Sequence, residues 1–181
     1  MVKRIAMLFL TFAVMTGVVL GVNVFTYSQT VDNAPQQKIL YTLPYPGLLP
    51  DHPLYVIKTV RDRVLDFTTR DTIKKAELYL VLSDKRAAMS LALADKGKQK
   101  MAVTTFEKGE KYFLKIPDLL KISKEQGVSP SSEFITKLKL SNAKHEEVGK
   151  TLLKKLNNGE TGNINQALLI TEQVKKQLNT W

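Results

Sequence analysis

Residues 101–120 read Met101-Ala-Val-Thr-Thr-Phe-Glu-Lys-Gly-Glu-Lys-Tyr-Phe-Leu-Lys-Ile-Pro-Asp-Leu-Leu120, and their apolar positions decide the fold class. Ala102, Phe106, Gly109, Phe113, Ile116 and Leu120 follow one another by steps of four and three. A helix turns by about 100° per residue, so these steps return to one face, whereas a strand would alternate every second residue. Pro117 interrupts the seam: its ring removes the backbone bond to Phe113, which predicts a kink or a restart there.

The same rhythm recurs on both sides. Downstream, Phe134, Leu138, Ser141, His145, Val148, Leu152 and Leu156 form a second seam, with Ser129 and Pro130 as its expected cap and first turn and Gly159 as its expected stop. Asn163 with Gln166 has the spacing of a capping box and predicts a last helix bearing Ile164, Leu168, Thr171, Val174, Leu178 and Trp181 on one face. Upstream, Asp71 suits the cap of a helix reaching about Lys96, stopped by Gly97. Pro53, with Asp51 or His52 at the cap, predicts a short helix through Leu54, Ile57, Val60, Arg61 and Val64. No stretch after Tyr27 alternates with period two for the length of a strand. The expectation is an all-α body of about five helices, an antiparallel bundle or a stack of helical hairpins, because the turns at Gly97, Gly127 and Gly159 are short.

Before that body, Lys3 and Arg4 precede an uncharged apolar run from Ile5 to Val22. Eighteen helical residues reach about 27 Å, close to the roughly 30 Å hydrocarbon core of a bilayer. Residues 1–27 therefore read as a signal-anchor or, alternatively, a signal peptide cleaved near Ser28. The flanking cations hold the amino terminus in the cytoplasm and send the remainder outward. Residues 28–40 are polar and read as a flexible spacer. The domain then spans 41–181 and opens with a proline-rich segment, 41–53, holding Pro44, Pro46, Pro50 and Pro53. Proline forces that segment to run extended or turned, yet Tyr41, Leu43, Tyr45, Leu48 and Leu49 favour its lying against the helices.

The run Leu43-Pro-Tyr-Pro-Gly-Leu-Leu-Pro-Asp-His-Pro-Leu-Tyr-Val-Ile-Lys58, together with Arg61-Asp62, Lys74-Lys-Ala-Glu-Leu-Tyr-Leu80 and Asp84-Lys-Arg86, resembles a bacterial family catalogued as domain of unknown function 5667. The resemblance extends over about residues 41–155 and implies an exported or membrane-anchored helical protein. It implies no activity and transfers no catalytic residue; Pro117 is a local departure from the family pattern.

Charge and chemistry narrow the function classes. The chain carries +10 at neutral pH, and setting residues 1–27 aside removes two cations and no acid, so the remainder is still basic. Such a balance suits anionic surfaces and solubility alike. The absence of cysteine excludes disulfides, thiolate metal sites and lipid-modified cysteine. His52 and His145 are far apart and neither has ligand spacing; His52 suits a turn and His145, on the seam, a hydrogen-bonded structural imidazole. Adjacent Glu146 and Glu147 diverge by about 100° and make poor partners for paired-acid chemistry. Lys137, Lys144 and Lys155 border the seam while Lys139, Lys150 and Lys154 point elsewhere, as a solvated surface does, which argues against nucleic acid. Pro50 and Pro53 have the spacing of a peptide ligand, but packing on their own domain is the expectation, and Trp181 is expected to plug the core.

No catalytic, cofactor-binding or metal-ligating residue is therefore expected, and no cofactor. The functional expectation is a membrane-tethered, extracytoplasmic interaction or structural module of the bacterial cell envelope that offers helical surfaces to a protein partner. The alternatives are a binder of anionic envelope polymers or lipid head groups through surface lysines and, more remotely, a hydrolase whose acids converge in a cleft.

Overall fold

The computed structural model describes residues 40–156 and 161–181, and within them every regular element is an α-helix. The signal-anchor reading of residues 1–27, most of the spacer and the stop at Gly159 lie outside the described residues. Six helices follow in order: α1 Tyr55–Thr68, α2 Thr72–Asp95, α3 Gln99–Phe113, α4 Ile116–Glu125, α5 Ser132–Lys155 and α6 Thr161–Leu178. No helix among the described residues is long and apolar enough to cross a membrane.

Local chemistry explains most boundaries. Asp71 caps α2 as expected, its carboxylate accepting from the Lys74 N–H at 2.8 Å. Gly97 and Gly127 follow helix ends with φ of 72° and 80°, a conformation that costs residues bearing a Cβ. Proline settles the central seam in favour of a restart: α3 ends at Phe113 and α4 begins at Ile116, with Pro117 in its first turn, where a missing N–H leaves nothing unpaired.

Three boundary expectations require correction. Ser131, not Ser129, caps α5, accepting from the Phe134 N–H at 3.1 Å, and Pro130 stays outside the helix. Asn163 and Gln166 lie inside α6, which begins at Thr161. Pro53 belongs to the turn ahead of α1, whose start at Tyr55 has no side-chain cap. His52 indeed forms that turn, its Nδ1 accepting from the Leu54 N–H at 3.1 Å.

Helix α2 is the central element, packing on α3, α4, α5 and, more sparsely, α1; α6 packs on α3 and α5. The α2–α3 hairpin is antiparallel: Gly109 abuts Ser83 and Arg86, while Tyr112, further along α3, meets Tyr79. Gly109 makes the closeness possible, since a Cβ there would stand 3.2 Å from the Ser83 carbonyl oxygen. The α5–α6 pair is antiparallel as well, with Gly149 beside Leu168 and Asn142 donating to the Thr171 carbonyl at 3.0 Å.

The core divides in two. One apolar cluster gathers Tyr79, Leu80, Phe113, Leu120, Leu138, Val174 and Leu178. The other gathers Ala87, Leu93, Phe106, Val148, Leu152, Ile164 and Ala167. Burial of each such large side chain is worth about 1.5–3 kcal/mol. On every long helix the residues between the clusters are polar: Ser83 and Asp84 on α2, Glu110 on α3, Ser141 and His145 on α5, and Thr171 on α6, all buried.

The proline-rich segment lies on this body as expected, with Leu43 and Leu49 packed against the second cluster. Tyr45 and Leu48 depart from that expectation and remain exposed. Trp181 is half-buried at the rim of the first cluster, with the Lys124 ammonium 5.3 Å from its ring centre, rather than plugging the core.

Candidate functional site

The polar layer between the clusters is a closed hydrogen-bonded set built around one imidazole. His145 is fully buried, with Nδ1 2.6 Å from Glu110 Oε1 and Nε2 3.0 Å from Asp84 Oδ1. Ser141 donates to Asp84 Oδ1 at 2.5 Å, Tyr41 donates to Asp84 Oδ2 at 2.6 Å, and Thr171 donates to Glu110 Oε2 at 2.7 Å. Every oxygen of the two carboxylates thus accepts a hydrogen bond. Both ring nitrogens face carboxylate oxygens, so the imidazolium, with two N–H donors, is the form that satisfies both. Burial alone would push the imidazole down, but the Glu110 charge and the bonds to Asp84 and Glu110 outweigh it and raise its pKa to about 9.

This arrangement ties α2, α3, α5, α6 and the proline-rich segment together at one level. None of the described cavities is lined by Asp84, Glu110 or His145. Nor does either ring nitrogen keep a free lone pair for a cation, and among the described residues no group of His, Asp and Glu has metal-holding geometry.

Helix α1 shows the opposite arrangement, polar inside and apolar outside. Asp62, 3% exposed, faces Arg86 of α2 at 3.9 Å and accepts from its neighbour Arg61 at 2.8 Å. Arg86 is itself buried, donating to the Leu82 carbonyl and stacked 4.4 Å from the Tyr112 ring centre. Asp66 accepts from the Tyr79 hydroxyl at 2.8 Å and pairs with Lys75. Meanwhile Val56, Ile57, Val60, Val64 and Phe67 stand 54–75% exposed. At about 100° per residue these five fall within an arc of about 100°, with Arg63 at one edge and Arg61 at the other.

A groove flanks each edge. On one side a 580 Å³ cavity is walled by Pro44, Tyr45, Pro46, Leu54 and Ile57 and rimmed by Lys58, Arg61 and Lys85. Lys58 donates to the Pro46 carbonyl at 3.3 Å; burial, together with Arg86, Lys85 and Arg61 and against the pull of Asp62, lowers it to about 8. On the other side a 310 Å³ cavity lies between Tyr55 and Tyr112, with Arg63, Lys108, Lys111 and Lys115 around it.

A family profile described as a domain of unknown function (DUF5667) matches residues 47–159. The chain belongs to the DUF5667 family. The DUF5667 region begins in the proline-rich segment and takes in α1 to α5, so it contains the whole of α1 and Asp84, Glu110, Ser141 and His145. Tyr41 and Thr171, which complete the polar layer, lie on either side of it. No curated protein and no solved structure matched the chain.

Of the residues singled out in the sequence, His145 stands in the hydrogen-bonded structural setting expected of it. Glu146 and Glu147 do diverge, pairing with Lys150 and Lys144 respectively. Lys155 pairs with Asp95 across helices. The lysines of α5 are thus a solvated and partly neutralised surface, and the concentration of cations around α1 was not anticipated. Nor were Asp84 and Glu110 as partners of His145. The signal existed: Gly109, Ser141, His145 and Thr171 occupy seam positions at which an apolar residue is expected.

Proposed function

We propose that this DUF5667 chain is a membrane-tethered, non-enzymatic interaction module whose working surface is the outward face of α1 with its flanking grooves. The observation that carries this reading is the reversed orientation of α1. A helix that packs only for stability turns its apolar side inward. Here two aspartates are directed into the body and held there by Arg86, Tyr79 and Lys75, which leaves the apolar arc uncovered. Contiguous exposed apolar surface of this kind marks interaction sites. The buried acids and imidazole then serve to hold the body rigid behind that face. Tethering and export rest on Lys3, Arg4 and the run from Ile5 to Val22.

The chain has no cysteine, so single cysteines report cleanly. The full chain carrying Val64→Cys or Lys139→Cys is expressed in bacterial cells and treated with a membrane-impermeant maleimide. Lys139→Cys, exposed on α5, is expected to label in intact cells, and Val64→Cys to label strongly only after detergent extraction. Labelling of Lys139→Cys solely after lysis overturns the outward placement. Equal labelling of Val64→Cys before and after extraction overturns the role of α1.

A further inference from the structure

We infer that the occupant of the α1 face is a lipid bilayer surface bearing anionic head groups, with the helix lying in the plane of the interface. The inference rests on the reading of α1 as the working face and goes further by naming what covers it. Three features of the surface converge on this occupant.

The first is charge complementarity along both long edges of the apolar arc. Arg61 and Lys85 border one edge and Arg63, Lys108 and Lys111 the other. Among the described residues none of Lys85, Arg63, Lys108 and Lys111 takes part in an ion pair, and the acids of α1 face inward. An apolar strip with cations on both sides matches a bilayer, in which acyl chains take the strip and phosphates lie level with its edges. A soluble anion would leave the five apolar side chains in water.

The second is shape. The cavity beside Ile57 has apolar walls of proline, tyrosine and leucine and a cationic rim, so it suits the upper part of an acyl chain below an anionic head group. Tyr45, exposed at its mouth, is the kind of amphipathic side chain that settles at the head-group level.

The third is the weakness of the main competitor, a second copy of the chain. A helix of 14 residues is about 21 Å long, and one face of it falls well short of the roughly 800 Å² per partner that a stable dimer takes. Pairing two copies about α1 would also bring cationic edges together, since both long edges of the arc carry basic residues. By contrast, the apolar run at residues 5–22 already brings the domain to a bilayer, so docking of α1 is an intramolecular event at high effective concentration.

The test uses the full chain with an environment-sensitive fluorophore on Val64→Cys, reconstituted into phosphatidylcholine vesicles with or without about one third phosphatidylglycerol. With the anionic lipid, emission is expected to shift to the blue and to be quenched by nitroxide-bearing lipid, while iodide in the water quenches poorly. Without it, the docked fraction falls. Lys108→Glu with Lys111→Glu, which touches no buried acid, is expected to reduce the docking equilibrium constant by roughly fivefold for each cation removed. A fluorophore on Lys139→Cys stays open to iodide throughout. Protection from both iodide and nitroxide lipid means that protein covers the face, which overturns the lipid assignment but leaves α1 as a working surface. Free access of iodide in both vesicle types overturns both. Equal lipid quenching with and without phosphatidylglycerol overturns the requirement for anionic head groups.

Discussion

Replacing His145 with leucine is expected to lower the stability of the folded chain by about 3–5 kcal/mol, because it strands two carboxylates in a dry interior. Among the described residues the imidazolium is the only cation between Asp84 and Glu110, and it sits 3.0 Å and 2.6 Å from them. Leucine fills much of the same space between Phe106 and Phe113, so packing changes little and the loss is electrostatic. Urea unfolding at neutral pH measures it. Adding Asp84→Asn and Glu110→Gln to His145→Leu is expected to restore most of the loss, since amides and a hydrocarbon leave no unpaired charge. A loss below about 1 kcal/mol in the single variant would mean that solvent reaches the layer and screens it.

The second large effect is a fall in stability across mildly alkaline pH. The folded chain holds the His145 proton with a pKa of about 9 against an ordinary value of 6.5. Between those values the folded state binds one more proton than the unfolded state, so unfolding free energy declines by about 1.4 kcal/mol per pH unit. The contribution is complete below pH 6.5, is lost as pH rises through 9 and amounts to about 3 kcal/mol in all. Lys58 acts in the opposite sense, because burial lowers its folded pKa to about 8 and its strain is relieved as pH rises. It is half-exposed and therefore more weakly felt. Comparing the chain with the combined variant His145→Leu, Asp84→Asn and Glu110→Gln isolates the imidazole, because no buried carboxylate is left to take up a proton in its place: the variant is expected to lose the downward slope between pH 6.5 and 9. A slope that persists unchanged in the variant contradicts the assignment.

Periodicity carried most of the fold. Steps of four and three at Ala102, Phe106, Gly109 and Phe113, and again from Phe134 to Leu156, match faces that are buried along α3 and α5, because a helix in a bundle must bury one stripe. Boundaries were less legible where two caps compete: Ser129 and Ser131 have the same chemistry, and only the chain's path decides between them. The polar layer was half legible. His145 stood out on its seam, but its partners come from other helices 35 and 61 residues away, and spacing within one helix does not report such pairings. Helix α1 misled for a different reason. Its apolar positions Ile57, Val60 and Val64 have the rhythm of a core-facing stripe, yet Asp62 and Asp66 find better partners inside. An apolar stripe identifies a face, and only the neighbouring elements determine whether that face turns inward.

Recognition through α1 requires that its apolar face contribute little to the stability of the folded body. Serine at Val60, Val64 and Phe67 together, in the full chain in neutral detergent, tests it by urea unfolding. The expected midpoint is that of the parent chain, with each replacement within about 0.5 kcal/mol, as for exposed surface sites outside the core. A combined loss of several kcal/mol would show that the arc is packed against the chain's own residues, and α1 would then be part of the core instead of its working surface.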